Sequence, residues 1–355
     1  MSDYPFVTVM IPMRNEVHTI GVCLDSVLAQ DYPADRFEVL VVDGASTDDS
    51  VSVVEEYARR TGRVRVLANP QRIVPTALNI AIRAARGEIV MRVDGHTHLA
   101  PDYMRIGVET LRRTAADNVG GPMIAVGGGR FGNAVALAMA SRFGIGAYFH
   151  FATEDREVDT VYLGMYARAV FERIGLFDEE LVRNQDDELN YRLRKHGGRI
   201  WLTTRMRSEY QNRQSLKTLA RQFFQYGLWK VRVLQKHPRQ MSPRQFVPPL
   251  FVLSLVVTGL LTPWSEAARW CCAAIIGAYA LALTAATVSV ARRHGWRHFP
   301  LVLLAFATMH LSWGTGFLIG LLRFGRRWFA DEPVPPRLRA PSVSAGELVG
   351  SPATD

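Results

Sequence analysis

Asp94 and His96 stand two residues apart, with Gly95 between them. In an extended or turning backbone, residues i and i+2 project the same way, so a carboxylate and an imidazole leave the chain together here. Such a pair can hold a divalent cation, and open α/β sheets bind ligands at the edge where their strands end. Upstream, Ile89, Val90, Met91 and Val93 form an apolar run after the Gly87 break. That run predicts the short strand that would deliver the pair. Arg14 and Glu16 follow a strand-like run at 6–12 in the same way, and Asp43, Ser46 and Asp48 follow one at 37–42. A further acidic pair, Asp186 and Asp187, precedes Leu189 and Leu193 at helical spacing. Acids are stabilised at a helix start whether or not they do chemistry, so spacing alone leaves capping and catalysis level.

These groups need a scaffold, and the periodicity supplies one. Helical spacing runs over 17–30 (Ile20, Leu24, Val27 and Leu28 share a face), 50–60 and 75–86, with another strand at 64–67. The resulting β-α-β-α-β-α-β order implies an α/β fold, a mainly parallel sheet with helices on both faces. The ends of three strands then converge on one crevice. A carboxylate there can accept from a base N–H or a ribose hydroxyl, and paired ligands can hold a metal against a diphosphate.

Three stretches in this order and spacing, Val9-Met10-Ile11-Pro12-Met13-Arg14-Asn15-Glu16, Val41-Val42-Asp43-Gly44-Ala45-Ser46-Thr47-Asp48 and Val93-Asp94-Gly95-His96, resemble the nucleotide-sugar half of a family 2 glycosyltransferase with the GT-A (Rossmann-like) fold. The resemblance implies that Asp43 contacts a uracil ring and that Pro12 and Glu16, with Arg14, line the nucleoside pocket. It implies that Asp94 begins the DxD motif holding Mn²⁺ or Mg²⁺ on the diphosphate. His96 departs from that motif, standing where its last Asp would be. Imidazole suits Mn²⁺ better than Mg²⁺, and His96 could instead hydrogen-bond a phosphate.

Residues 183–194 are similar to the family's ED motif, with Gln185 in place of the Glu. Aligning Glu188-Leu189 and Arg192-Leu193 on that pattern puts the catalytic carboxylate at Asp186, with Asp187 one position late as the fallback. Its role would be to take the proton of an attacking acceptor hydroxyl. Gln222-Phe223-Phe224-Gln225-Tyr226 resembles the QxxRW motif of processive relatives, with Gln225 for Arg and Tyr226 for Trp, and both departures argue against a processive enzyme. The resemblance implies that Gln222 and Tyr226 lie on the acceptor side. A glycine inside a strand, as Gly164 is at 159–168, often lets a ligand approach the backbone, and the resemblance implies that this segment lies next to the donor sugar and acceptor. The arrangement up to about residue 322 looks like the succinoglycan-type β-glucosyltransferases of exopolysaccharide assembly. That implies a UDP-sugar donor, UDP-glucose, and a polyprenyl-linked saccharide acceptor.

The 355 residues suffice for one catalytic domain and an appendage, and the net charge is +9. The cations crowd between Arg192 and Arg244 and beside long apolar runs, which favours an anionic membrane surface over nucleic acid. Cys23, Cys271 and Cys272 make neither a disulfide framework nor a zinc pattern. No signal peptide opens the sequence, so the main domain is expected on the cytoplasmic side of a bacterial cell membrane. Four parts are expected: the GT-A domain at 1–210, a basic amphipathic interfacial helix at 211–245, a multi-pass membrane domain at 246–328 and a disordered tail at 329–355. A core-facing helix is the alternative for 211–245. The apolar runs are 246–261, 270–291 and 299–322. The second and third are long enough to cross, and the first is marginal. A third crossing would put Arg323, Arg326 and Arg327 outside, against the positive-inside rule. His310, Ser312, Gly314 and Gly316 also interrupt that run, and a re-entrant segment would resolve the conflict. Gly127, Gly129 and Gly132 satisfy G-x-G-x-x-G but follow a complete βαβ unit, so a flexible loop is the better reading. Rival functions are a nucleotidyltransferase, a nicotinamide-dependent enzyme and a non-catalytic membrane assembly subunit.

Overall fold

The computed structural model describes residues 4–144, 148–212, 214–329 and 335–338. The predicted alternation is present: β1 (Val7–Met13), α1 (Ile20–Leu28), β2 (Phe37–Asp43), α2 (Ser50–Thr61), β3 (Val64–Ala68), α3 (Val74–Ala84) and β4 (Ile89–Arg92). The α/β domain continues through β5 (Thr97–Leu99), α4 (Tyr103–Thr114), β6 (Asn118–Gly121), β7 (Met123–Val126), α5 (Gly129–Met139), β8 (Arg156–Glu157), β9 (Tyr162–Ala167), α6 (Ala169–Ile174), α7 (Gln185–Lys195), β10 (Ile200–Leu202) and β11 (Ser208–Gln211). Four helices follow: α8 (Leu216–Lys236), α9 (Val247–Leu261), α10 (Glu266–His294) and α11 (Phe299–Arg323).

The main sheet has eight strands in the order β3-β2-β1-β4-β9-β6-β10-β8. The first four are parallel, while β9 runs antiparallel to both β4 and β6. A second sheet, β5-β11-β7, leads into α8. Side chains alternate across β1, so Val7, Val9, Ile11 and Met13 pack with α1 and α4 while Met10 packs with α3 and α7. Both faces are covered, which is why β1 and β2 are apolar almost throughout.

Three expectations change. The Gly127–Gly132 run is no flexible loop, because α5 begins at Gly129. A Cβ on Gly127 would fall 2.1 Å from the Gly132 carbonyl carbon, so these glycines let the end of β7 pack on α5. Second, α11 is unbroken, and its glycines are a packing surface. A Cβ on Gly316 would lie 2.1 Å from the Phe224 oxygen, and one on Gly227 2.0 Å from the Trp313 oxygen. Backbone thus meets backbone between α8 and α11.

Third, α8 does not present all its cations outward. Arg232 is fully buried and pairs with Glu180, Lys236 pairs with Asp178 and Glu180, and Lys230 pairs with Asp187. A helix wedged between α11 and the α/β domain must pair the cations it buries. Lys217 and Arg221 stay exposed, and Arg213 lies outside the described residues. Most of the predicted tail lies outside the described residues. Residues 335–338 rest on the α/β domain, where Leu176 N donates to Pro336 O at 2.7 Å.

Candidate active site

The register places the loops of interest side by side, with Met13 opposite Asp43 and Met10 opposite Arg92. After β1 the chain turns at Asn15, whose φ is 55°. Asparagine tolerates that left-handed conformation better than most residues. Asn15 N donates to Ser46 Oγ at 2.9 Å, and Asn15 Oδ1 accepts from Thr47 N at 2.8 Å. Ser46 Oγ in turn donates to Asp43 Oδ1 at 2.6 Å, which orients the carboxylate at the strand end. Asp48 accepts from Ser50 Oγ at 2.5 Å and from Val17 N at 3.3 Å. Ser46 and Asp48 therefore tie the two loops together. Pro12 is half-buried beside Val42, and Arg14 is exposed next to Gly44.

On the β4 side, the turn at 94–97 closes through Thr97 N to Asp94 O at 2.9 Å. His96 Nδ1 meets Glu16 Oε1 at 3.1 Å, and Glu16 Oε2 accepts from Thr19 Oγ1 at 2.8 Å. Two residues predicted separately are thus one pair. Asp94 Oδ1 is held by Arg92, by Nε at 3.0 Å and Nη2 at 2.9 Å. Nη1 of the same guanidinium binds Asp186 Oδ1. Arg92 joins the two acids, yet it was not among the sequence candidates. Its signal was a lone cation in a strand covered on both faces, which demands acidic partners.

Asp186 and Asp187 occupy the first turn of α7, and helical rotation separates them. Asp186 is half-buried and faces Arg92 and Asp94, while Asp187 takes Lys230 Nζ at 2.9 Å. Asn184, with φ 62°, anchors the preceding loop by donating from Nδ2 to Tyr226 O at 2.9 Å. Burial pushes the Asp186 carboxyl up, against the pull of Arg92 and with help from neighbouring Asp94. Burial also acts on Asp94, but Arg92 and His96 outweigh it and hold that carboxyl below its usual range. Two neighbouring carboxyls are thus pushed in opposite directions, one toward proton acceptance and one toward permanent charge.

The rest of α7 is clamped from below. Arg192 pairs with Glu188 at 2.8 Å and donates to the carbonyls of Ile174 and Leu176, while His237 Nε2 meets Glu188 at 3.0 Å. Arg192→Met should cost about 3–5 kcal/mol, because it leaves a buried carboxylate short of a partner. The thermal midpoint of the detergent-solubilised chain would show it. Burial raises the Glu188 carboxyl, but the bonds from His237 and Arg192 bring it below its usual range. This contribution is therefore full above the unfolded carboxylate pKa and is lost as pH falls through the folded one.

Gln222 and Tyr226, expected from the sequence on the acceptor side, join an aromatic wall. Gln222 Nε2 donates to Tyr226 OH at 3.0 Å and Tyr210 OH at 3.3 Å. The Tyr210 ring stands edge-on to His96 at 5.5 Å and to Tyr162 at 6.1 Å, and Tyr162 shares a 3.1 Å hydrogen bond with Thr97. Tyr162 and Tyr210 were missed because their approach depends on pairing β11 with β5. Gly164 needs correction: a Cβ there would strike Asn118 Oδ1 at 2.6 Å and the Tyr166 ring, so its missing side chain makes room for packing, not for a ligand.

Among the described residues, no group of three or more His, Cys, Asp or Glu side chains gathers to hold an ion. Asp94 offers carboxylate oxygen and His96 stands nearby, a donor set that fits a divalent cation only when a ligand such as a diphosphate completes it.

This architecture is that of the GT-A glycosyltransferases. A mannosyltransferase from Pyrobaculum calidifontis, solved with GDP-Man and Mn²⁺, matches with a TM-score of 0.54 over 88% of each chain at 24% identity. Staphylococcus aureus TarS 1–349 matches with a TM-score of 0.51 at 19% identity, over 90% of this chain and 92% of its own. The family model for glycosyl transferase family 2 matches residues 8–175. Succinoglycan biosynthesis protein ExoA of Rhizobium meliloti (strain 1021) is 31% identical over 322 residues, 90% of this chain and 96% of ExoA. The dolichyl N-acetyl-alpha-D-glucosaminyl phosphate 3-beta-D-2,3-diacetamido-2,3-dideoxy-beta-D-glucuronosyltransferase of Methanococcus voltae is 28% identical over 239 residues, 65% of this chain and 74% of its own. The chain belongs to glycosyltransferase family 2, and it is an enzyme of the GT-A class.

Proposed function

We propose that this chain is an inverting glycosyltransferase of exopolysaccharide assembly, moving glucose from UDP-glucose onto a polyprenyl-linked saccharide at the cytoplasmic face of a membrane. The observation that carries the reading is the Asp94–Arg92–Asp186 bridge, which sets the proposed proton acceptor across from the proposed diphosphate site. The names of two relatives support the setting: one belongs to succinoglycan biosynthesis, and the other acts on a dolichyl phosphate-linked sugar. Three helices long and apolar enough to cross a membrane support the location.

In this reading the uracil sits at Asp43, with Pro12, Arg14 and Glu16 around the nucleoside. The acceptor hydroxyl attacks the anomeric carbon from the side opposite the diphosphate. Asp186 takes its proton as the new C–O bond forms and the bond to the diphosphate breaks. Arg92 supplies guanidinium charge to the leaving diphosphate and lets go of Asp186 as it does so. Mn²⁺ or Mg²⁺ bound at Asp94, with His96 beside it, would neutralise charge on the departing nucleotide. The Tyr162–Tyr210–Gln222–Tyr226 wall orients the acceptor sugar.

Arg92→Met should weaken UDP binding about tenfold or more, the loss of one charge-assisted contact of about 1.5–3 kcal/mol. Titration of UDP into the solubilised protein would measure it. The function itself is tested by UDP release from UDP-glucose, using membranes, a lipid-linked acceptor extract and Mn²⁺. Acceptor-dependent release supports the reading. Release with another UDP-sugar alone would replace the glucose, and UDP binding without any turnover would favour a non-catalytic subunit.

A further inference from the structure

We infer that α9 and α10 cross the bilayer as a hairpin, whereas α11 does not cross and lies along the membrane face under the α/β domain, with both ends on that domain's side. The inference rests on the membrane location proposed above and goes beyond it. Residues Pro243–Leu261 number 19, enough for about 30 Å once their opening 3-10 turn is counted. Along its whole length α9 exposes an apolar stripe, Leu250, Leu253, Val256, Val257 and Leu260, while Pro249 and Val252 on its other side are buried. At the hairpin tip, Trp264 and Trp270 are 82% and 71% exposed, as tryptophans at a membrane–water interface are. The 29 residues of α10, about 43 Å, exceed the crossing. The surplus is buried where α10 returns, Val290 sharing a core with Val135 and Ala138 of α5.

The contacts at the two ends of α11 argue against a third crossing. Its first turns pack Val302, Ala305 and Phe306 on that same α5 core. His310 meets Tyr279 at 3.2 Å and the Phe143 carbonyl at 2.9 Å. Gly314 lies against Pro248 and Val252, near the start of α9 rather than its tip. Beyond that, Gly320 meets Leu228 of α8, Phe324 O accepts from Gln235 Nε2 at 2.9 Å, and Arg327 pairs with Glu180. The chain described next, 335–338, is hydrogen-bonded to Leu176. A crossing helix would instead end level with Trp264. The outward apolar residues Leu304, Leu311, Ile319 and Leu322 follow helical spacing on one stripe, as expected of a helix with lipid on one side only.

This arrangement removes the charge conflict, since Arg292, Arg293 and Arg297 at one end of α11 and Arg323, Arg326 and Arg327 at the other share one side. It also has a consequence for the acceptor. Because α8 packs backbone to backbone on α11, only the width of that one helix, about 10 Å, separates the helix of Gln222 and Tyr226 from lipid. A lipid-borne acceptor then reaches the aromatic wall from the bilayer side.

The test is labelling of single cysteines with a membrane-impermeant maleimide, in the full chain carrying Cys271→Ser and Cys272→Ser; Cys23 is buried. Glu55→Cys on α2, His294→Cys and Arg326→Cys should label from one face of sealed vesicles, and Glu266→Cys only from the other. Labelling of Arg326→Cys together with Glu266→Cys would show that α11 crosses and overturn the inference. Labelling of Glu266→Cys together with Glu55→Cys would overturn the crossing hairpin. Release of the chain by a carbonate wash would overturn the membrane location itself, a failure distinct from either. No turnover is needed, so donor and acceptor identity do not enter the result.

Discussion

Asp186→Asn should lower the rate of sugar transfer by about 10²–10⁴-fold while UDP still binds. The substitution keeps the size of the side chain and an oxygen for Arg92, but an amide cannot take a proton. Loss of the proton acceptor removes an interaction made only in the transition state, so kcat falls and donor binding does not. The neighbouring Asp187→Asn is the control, because that carboxylate serves Lys230, whose side chain is only 4% exposed. Removing it leaves a buried ammonium short of its partner and should lower stability rather than the chemical step. Single-turnover transfer rates, set beside a UDP titration, separate the two variants. An Asp186→Asn protein with near-native rates would end the assignment.

Gly227→Val should destabilise the chain by about 3 kcal/mol or more, the upper end of overpacking effects. A Cβ at that position would stand 2.0 Å from the Trp313 carbonyl oxygen, and backbone cannot swing aside as a side chain can. Separating α8 from α11 also shifts Tyr226, whose carbonyl holds Asn184 two residues before Asp186. Activity should therefore fall further than folded fraction alone explains. Gly259→Val in α9 is the comparison, since nothing lies within 4 Å of its missing Cβ. Thermal midpoints of the two solubilised variants, together with their transfer rates, test both claims. Equal midpoints would show that the α8–α11 seam yields cheaply.

The parallel half of the sheet was legible because its information is local. Each of β1, β2 and β4 is an apolar run ending in polar residues, and each intervening helix shows its own period. Asp43, Glu16 and Asp94 could be named as strand-end groups on that basis. Their partners could not. His96 finds Glu16 across 80 residues and Arg92 finds Asp186 across 94, distances at which no sequence period survives. The same limit explains α8. Its cations look like a membrane-binding face until Glu180 and Asp187 are seen to arrive from the α7 side.

By itself, then, the sequence determined the order of elements, the edge at which the acids gather and the presence of three apolar runs, two of them of membrane length, since these follow from short-range periodicity and length. Only the tertiary structure decided which of two adjacent aspartates faces the cleft, which arginine joins it to Asp94, and that α11 returns to the domain it left. Those outcomes depend on burial: a charge taken out of water must find a counter-charge wherever the fold brings one, and a glycine stripe acquires meaning only from the backbone packed against it.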